Sequence, residues 1–224
     1  MSDVWQQQRQ RMVDEQLRPR GIHDQRILAA MANVPRHLFV PEALQAQAYS
    51  DQALPLTLGQ TISQPYIVAL MAQELLLNPH EQLLEIGAGS GYAAAVFAEL
   101  VRKVVTIERH QALAQQTQVR LRNLGYVNIE VVWGDGSLGY PTAAPYHAIS
   151  IPAATPQLAQ TLLSQLHDGG RLVAPIGDAQ DQQLIRLQRQ GQNWQKTTIS
   201  NVRFVPLIGA GGWEHAPETT AEGE

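Results

Sequence analysis

The chain has no cysteine. Disulfides, thiolate metal ligands and cysteine nucleophiles are excluded together, and the composition accords with a reducing compartment. It also lacks any apolar run near the roughly 18 to 20 residues that a membrane-spanning helix requires, and its first residues, MSDVWQQQRQ, lack the apolar stretch of a signal peptide. The expectation is a cytoplasmic protein with no membrane partner. There is no excess of basic residues either. A net charge of −4 supplies no strong positive field with which to displace counterions from phosphates, which argues against a nucleic-acid partner. Its seven histidines show no His-x-x-x-His or comparable pairing, so no metal site is expected. Internal repeats are missing as well.

What is present is enough for a core. Of the 224 residues, 44% are hydrophobic and 16% charged, the balance of a globular chain. The length fits one α/β domain with an extension. The first sixty or so residues read as helices over 3–17 and 24–31, followed by an irregular stretch broken by the prolines of VPRHLFVPE. Arginines at 9, 11, 18, 20, 26 and 36 outnumber the four acids of the first forty residues. Most are expected on solvated helix faces, with a mouth attractive to an anionic substrate as the functional alternative.

From residue 83 onward, short apolar runs at 83–86, 103–107, 129–133, 148–151 and 171–175 alternate with helical stretches at 92–101, 110–124 and 155–166, the last stopped by Gly169 and Gly170. Such alternation specifies a parallel sheet with helices on both faces. After Gly177 two further strand patterns joined near Gly191 indicate antiparallel strands at the sheet edge. The division expected is an N-terminal helical extension with an active-site segment over 1–78, an α/β core over 79–213, and a polar, acidic, disordered tail over 214–224.

The strongest local signal is LLEIGAGSGYAAAVFAEL, a strand, a glycine turn and an alanine-rich helix. Glycines at 87, 89 and 91 permit a tight turn and close approach of a ligand to bare backbone. A dinucleotide fingerprint would place its third glycine at 92, where Tyr92 stands. Glu85 would also repel a pyrophosphate, whereas it could face a cation. S-adenosylmethionine, with an ammonium, a sulfonium and no phosphate, suits this loop. Glu108 ends the next strand about 20 residues beyond Gly87, the spacing at which a strand-end acid meets a ribose hydroxyl pair. Asp135 in WGDG ends the strand after that, where a carboxylate can accept from an adenine amino group. Each acid alone would pass for a solvated strand end; three on consecutive strand ends indicate a ligand site.

Ahead of the loop lies GQTISQPYIVALM. Ser63, before Gln64 and Pro65, reads as the cap of a helix that continues to Asn78 and Pro79. Together with VPRHLFVPE, LLEIGAGSGY, GDG, GGRLVAPIG and VRFVPLIG, this segment resembles the protein-L-isoaspartate O-methyltransferases over about 12–213. The glycine loop is common to many methyltransferases, and GQTISQP is far more specific. The resemblance implies a doubly wound, Rossmann-like S-adenosylmethionine-dependent methyltransferase fold. It implies methyl transfer to the free carboxylate of isoaspartyl residues in damaged proteins, whose ester closes to a succinimide. It makes Ser63 the active-site residue. Cofactor contacts are implied for Gln60, Thr61, Ile62 and Ser63, for Glu85, Gly87, Ala88, Gly89 and Gly91, and for Glu108, Arg109, Asp135 and Gly136.

Two positions depart from the family pattern. His147 stands where a YDAI segment would carry an acid, and Pro152 replaces a small polar residue. An acid that supported the cofactor loop or the substrate pocket would make His147 a change in affinity or substrate choice. A lone histidine near a strand start is more often structural. The alternatives are therefore a same-fold methyltransferase for another carboxylate or nucleophile, and a cofactor-binding protein with impaired catalysis.

Overall fold

The computed structural model describes residues 2–215. Helix α1 (Ser2–Arg11) runs on through a π-helical stretch, Met12–Leu17, into a short turn that closes at Gly21, whose φ of 88° is left-handed. Helix α2 (Gln25–Asn33) starts where the Asp24 carboxylate accepts from the Arg26 N–H at 2.9 Å. A small antiparallel pair, β1 (Leu54–Pro55) and β2 (Thr61–Ile62), precedes helix α3 (Pro65–Glu74). The α/β part follows: β3 (Gln82–Ile86), α4 (Tyr92–Ala98), β4 (Lys103–Glu108), α5 (Gln111–Asn123), β5 (Ile129–Trp133), β6 (Tyr146–Ser150), α6 (Gln160–Leu163), β7 (Leu166–Gly177), β8 (Gln182–Gln190) and β9 (Asn193–Val202).

These last seven strands form one sheet in the order β5-β4-β3-β6-β7-β8-β9. The first five in that order run parallel, and β8 and β9 are antiparallel additions at one edge, as the sequence pattern indicates. Successive residues of the buried strands supply opposite faces. Leu83 and Val104 join a core built with α3, α4 and the N-terminal helices, whereas Leu84, Ile86, Val105 and Ile107 join a second core with Ile149, Leu162 and Leu172. The strand order reverses between β4 and β6 on either side of β3, the place where doubly wound sheets leave a crevice at their carboxyl ends.

Three expectations change. The helix anticipated over 155–166 is confined to Gln160–Leu163. Its first part is held away from helical geometry, because Thr155 bridges Ile176 and Ala154 bridges Pro206, with the Thr155 N–H donating to Pro175 O at 3.2 Å. Gly169 and Gly170 lie inside β7, which begins at Leu166, and so they stop no helix. Ser63 is not the cap of α3. Gln64 occupies the cap position without a side-chain cap bond, since its amide donates instead to Asp51 O at 3.0 Å. Most of the anticipated tail, 216–224, lies outside the described residues.

A buried ion pair fixes α3 to the sheet. The Arg171 guanidinium engages Glu81 at 2.9 and 2.8 Å and donates to the carbonyls of Leu75 and Leu76 at 2.7 and 2.6 Å, which caps the end of α3. Burial pushes the Glu81 carboxyl upward, but Arg171 and the Asn78 donors outweigh it and the net direction is downward.

Candidate active site

A cleft of about 760 Å³ opens at the carboxyl ends of β3, β4 and β6. One side is the segment Gln60, Thr61, Ile62, Ser63 and Gln64. Pairing of Leu54 with Ile62, the Leu56 N–H bonded to Gln60 O at 2.8 Å and the Gln64 amide on Asp51 O hold this segment extended. The Ser63 hydroxyl makes no hydrogen bond to the described residues, so its donor is free to serve a ligand. Of the N-terminal arginines only Arg20 borders the cleft, its guanidinium 3.4 Å over the Tyr66 ring and 2.6 Å from Asp51. Arg18 and Arg26 pair with Asp14 and Asp24, and Arg36 is fully buried over Tyr92. The anionic-substrate mouth therefore narrows to one residue of that group, with Arg109 and Arg203 bordering the cleft from elsewhere.

The floor is the glycine turn. The N–H groups of Gly87 and Ala88 both donate to Ile107 O, at 2.8 and 3.0 Å, which ties the end of β3 to the end of β4. Gly89 has a φ of 52° and nothing within 4 Å of where a Cβ would stand, so backbone is presented bare to the cleft. Gly91 serves a different purpose. A Cβ there would lie 2.7 Å from the Thr117 methyl group, and Gly91 is absent from the cleft lining; its contribution is the approach of α4 to α5. Two residues of α5 that sequence reasoning missed secure the turn: Thr117 Oγ1 donates to Gly89 O at 2.7 Å and an Arg120 nitrogen to Ser90 O at 2.9 Å. Their spacing of one helical turn puts them on one face of α5, but nothing in the sequence names the loop which that face meets.

Glu85 and Glu108 both border the cleft and are 0% and 3% exposed. Glu85 Oε2 accepts from the Thr106 hydroxyl at 2.6 Å, and Oε1 has no partner. Burial, with a further contribution from the Glu108 charge and against the Thr106 hydrogen bond, pushes the Glu85 carboxyl up to about 8. A buried carboxylate oxygen without a donor, on a residue that borders the cleft, fits an ammonium group. Glu108 accepts from the Gly89 N–H at 3.0 Å and the His110 N–H at 2.9 Å, one on each oxygen. Each oxygen keeps a lone pair for a hydroxyl, so the acid expected to hold a ribose also pins the glycine turn. We expect Glu108→Gln to weaken S-adenosylhomocysteine binding by about tenfold, because one charge-assisted acceptor is lost. Calorimetry showing unchanged affinity would remove Glu108 from the cofactor contacts.

Ala88, Arg109 and Gly136 border the cleft as well, and Asp135 does not. Its two oxygens accept from the Ser137 N–H at 2.9 Å and the Ala210 N–H at 2.8 Å. Burial raises its pKa, but these donors and Arg109 prevail and hold the carboxyl below its ordinary value. Pro152 does line the cleft. His147 stands at the opposite end of β6, where its Nδ1 accepts from the Gln82 N–H at 3.2 Å and its ring lies 4.4 Å from that of His167. Burial and the neighbouring His167 keep this imidazole below its ordinary pKa. An aspartate would accept the same N–H, so the departure preserves the acceptor and leaves the cleft untouched. His147→Asp should change the rate of methyl transfer by less than about twofold; an increase of orders of magnitude in a turnover assay would show the natural chain to be impaired.

A doubly wound sheet with a glycine turn at its switch point and two buried strand-end acids bordering the cleft is the architecture of an S-adenosylmethionine-dependent methyltransferase. Residues 7–212 match the family model of protein-L-isoaspartate(D-aspartate) O-methyltransferase. The chain belongs to that family. It is 54% identical over 210 residues to protein-L-isoaspartate O-methyltransferase 1 of Syntrophobacter fumaroxidans, covering 94% of this chain and 98% of the relative. The protein-L-isoaspartate O-methyltransferase of Methanoregula boonei is 53% identical over 208 residues, 93% of this chain and 96% of its own. A solved protein-L-isoaspartate O-methyltransferase superposes with a TM-score of 0.77 at 26% identity, over 87% of this chain and 64% of that longer one. No described helix is long and apolar enough to cross a membrane.

Proposed function

We propose that this chain methylates the free α-carboxylate of L-isoaspartyl residues in damaged proteins, with Ser63 orienting that carboxylate and the glycine turn, Glu85 and Glu108 holding the cofactor. The observation that carries this reading is that the Ser63 segment and the Glu85 carboxyl, far apart in sequence, border one cleft. When bound, S-adenosylmethionine supplies a methyl group activated on a sulfonium.

The chain's own residues then have three tasks. A carboxylate with a pKa near ~4 is ionised at neutral pH, so no general base is needed to make it a nucleophile. Ser63 would donate its hydroxyl hydrogen to one carboxylate oxygen and so orient the other as the nucleophile. Ile62, Ile67, Pro152 and Val205, apolar members of the lining, reduce the water around the anion and so its solvation. Arg20, neutralised in part by Asp51, offers remaining donors at the same cleft. The ester so formed loses methanol when the following backbone nitrogen attacks its carbonyl, which yields the succinimide that hydrolyses to aspartate or isoaspartate.

Damaged proteins and peptides are the partners in this reading, nucleic acid is not, and the cysteine-free composition is compatible with work in the reducing cytoplasm. A methyl-acceptor assay that offers an isoaspartyl peptide beside free small carboxylic acids tests the proposal. Transfer to the peptide alone supports it; transfer to the small acids in preference would assign the cleft to another substrate.

A further inference from the structure

One polar row crosses the middle of the sheet. Register places Thr106 of β4 beside Glu85 of β3 and Glu85 beside Ser150 of β6, with Val131 of β5 and Val173 of β7 on either side. All three polar members are buried. Two residues earlier on the same face the equivalent row is Val104, Leu83 and Ala148, which belong to the core built with α3 and α4. Polar side chains in such a place need partners.

Two of the three are accounted for. The Thr106 hydroxyl donates to Glu85 Oε2 at 2.6 Å, and Glu85 Oε1 is left bare toward a ligand. Ser150, on the other flank of Glu85, makes no hydrogen bond through its hydroxyl to the described residues. It borders the cleft, as Glu85 does, whereas Thr106 does not. Its backbone is fixed, because Ser150 pairs with both Glu85 and Val173 and the following Ile151 N–H donates to Val173 O at 3.0 Å. A free hydroxyl on a rigid strand end is preorganised for a ligand.

We propose that Ser150 is a cofactor contact, whose hydroxyl oxygen accepts one N–H of the ammonium group that Glu85 Oε1 meets. The proposal rests on the reading of this cleft as the S-adenosylmethionine site. An ammonium carries three N–H donors, and a single carboxylate oxygen leaves two of them to be satisfied where little water reaches. Neighbouring strands lie about 4.8 Å apart, so side chains in register on β3 and β6 can converge on one group. A hydroxyl suits the task better than a second acid, since two adjacent carboxylates would raise the pKa of one of them. The competing role is donation of the hydroxyl hydrogen to the cofactor's carboxylate. That is disfavoured here, because the anion would lie beside the Glu85 charge.

The two roles separate by choice of ligand. The unaltered protein and Ser150→Ala are titrated by calorimetry with S-adenosylhomocysteine, with S-adenosyl-3-thiopropylamine, which keeps the ammonium and lacks the carboxylate, and with 5′-methylthioadenosine, which lacks both. Ser150→Ala is expected to weaken the first two by about tenfold, the loss of one hydrogen bond to a charged group, and the third by less than about twofold. A disturbed fold would weaken all three alike. Equal losses for the three ligands, or no loss for any, would overturn the proposal. A loss confined to S-adenosylhomocysteine would overturn it too, by giving the hydroxyl to the carboxylate. Failure of the unaltered protein to bind S-adenosylhomocysteine at all would overturn the cofactor reading itself, and is distinguished by that control.

Discussion

Ser63→Asp is expected to leave a folded protein that binds S-adenosylhomocysteine and transfers almost no methyl groups. Aspartate and serine are comparable helix caps, so a capping role would predict a stable and active variant. In the structure α3 begins after Gln64 with no side-chain cap, and the Ser63 hydroxyl faces the cleft segment without a protein partner. Stability should therefore change by less than about 0.5 kcal/mol for Ser63→Ala and Ser63→Asp alike. Activity should not be spared. Two unit charges about 4 Å apart repel by about 4 kcal/mol at an effective dielectric near 20, so a fixed carboxylate beside an anionic nucleophile should lower turnover by at least about a hundredfold. Ser63→Ala, which removes one donor, should lower it by about tenfold. Thermal melting, cofactor titration and turnover of an isoaspartyl peptide check all three statements, and an active Ser63→Asp enzyme would take Ser63 out of the mechanism.

The second large effect is a pH dependence set by Glu85. Its carboxyl is raised to about 8 by burial and by the Glu108 charge, from an ordinary value of 4.5. For such a group the contribution to stability is complete below the unfolded value and is lost as pH climbs through the folded one. The cofactor-free protein should become less stable between about pH 4.5 and pH 8, by a few kcal/mol in total. A bound ammonium reverses the preference, because the ionised carboxylate then has a partner. S-adenosylhomocysteine affinity should rise with pH over the same window, approaching tenfold per unit, and level off above about 8. Binding at neutral pH should release close to one proton, measurable as a dependence of the calorimetric enthalpy on the buffer. Glu85→Gln keeps the shape and the Thr106 contact; it should abolish the pH dependence and bind more weakly at pH 8. An affinity flat across this range in the unaltered protein would mean that Glu85 does not meet the ammonium.

The parallel strands were legible because each is an apolar run that both faces of the sheet need, and Leu83, Val104 and Ile149 are fully buried where the pattern placed them. Local chemistry was legible too: the strand-turn-helix around Gly87 needs only neighbours in sequence. What misled was local pattern subject to distant competition. Leu158, Leu162 and Leu166 keep helical spacing, yet Ala154 and Thr155 are taken up by bridges to Pro206 and Ile176. Ser63 looks like a cap, yet Gln64 is drawn to Asp51 and leaves the helix start bare. The supports of the site were the hardest to see. Thr117 reaches Gly89 across 28 residues, Arg171 reaches Leu75 across 96, and Ala210 reaches Asp135 across 75. No periodicity in a single sequence encodes such pairings.

The central claim is that this cleft methylates isoaspartyl carboxylates, and the direct measurement is the mass of a peptide incubated with the protein and S-adenosylmethionine. The peptide is prepared in two forms that differ only in whether one residue is isoaspartate or aspartate. The account predicts that the isoaspartyl form gains the mass of one methylene, then loses methanol to give the succinimide, while the aspartyl form stays unchanged. Equal methylation of the two forms, or of neither while the protein binds the cofactor, would contradict it.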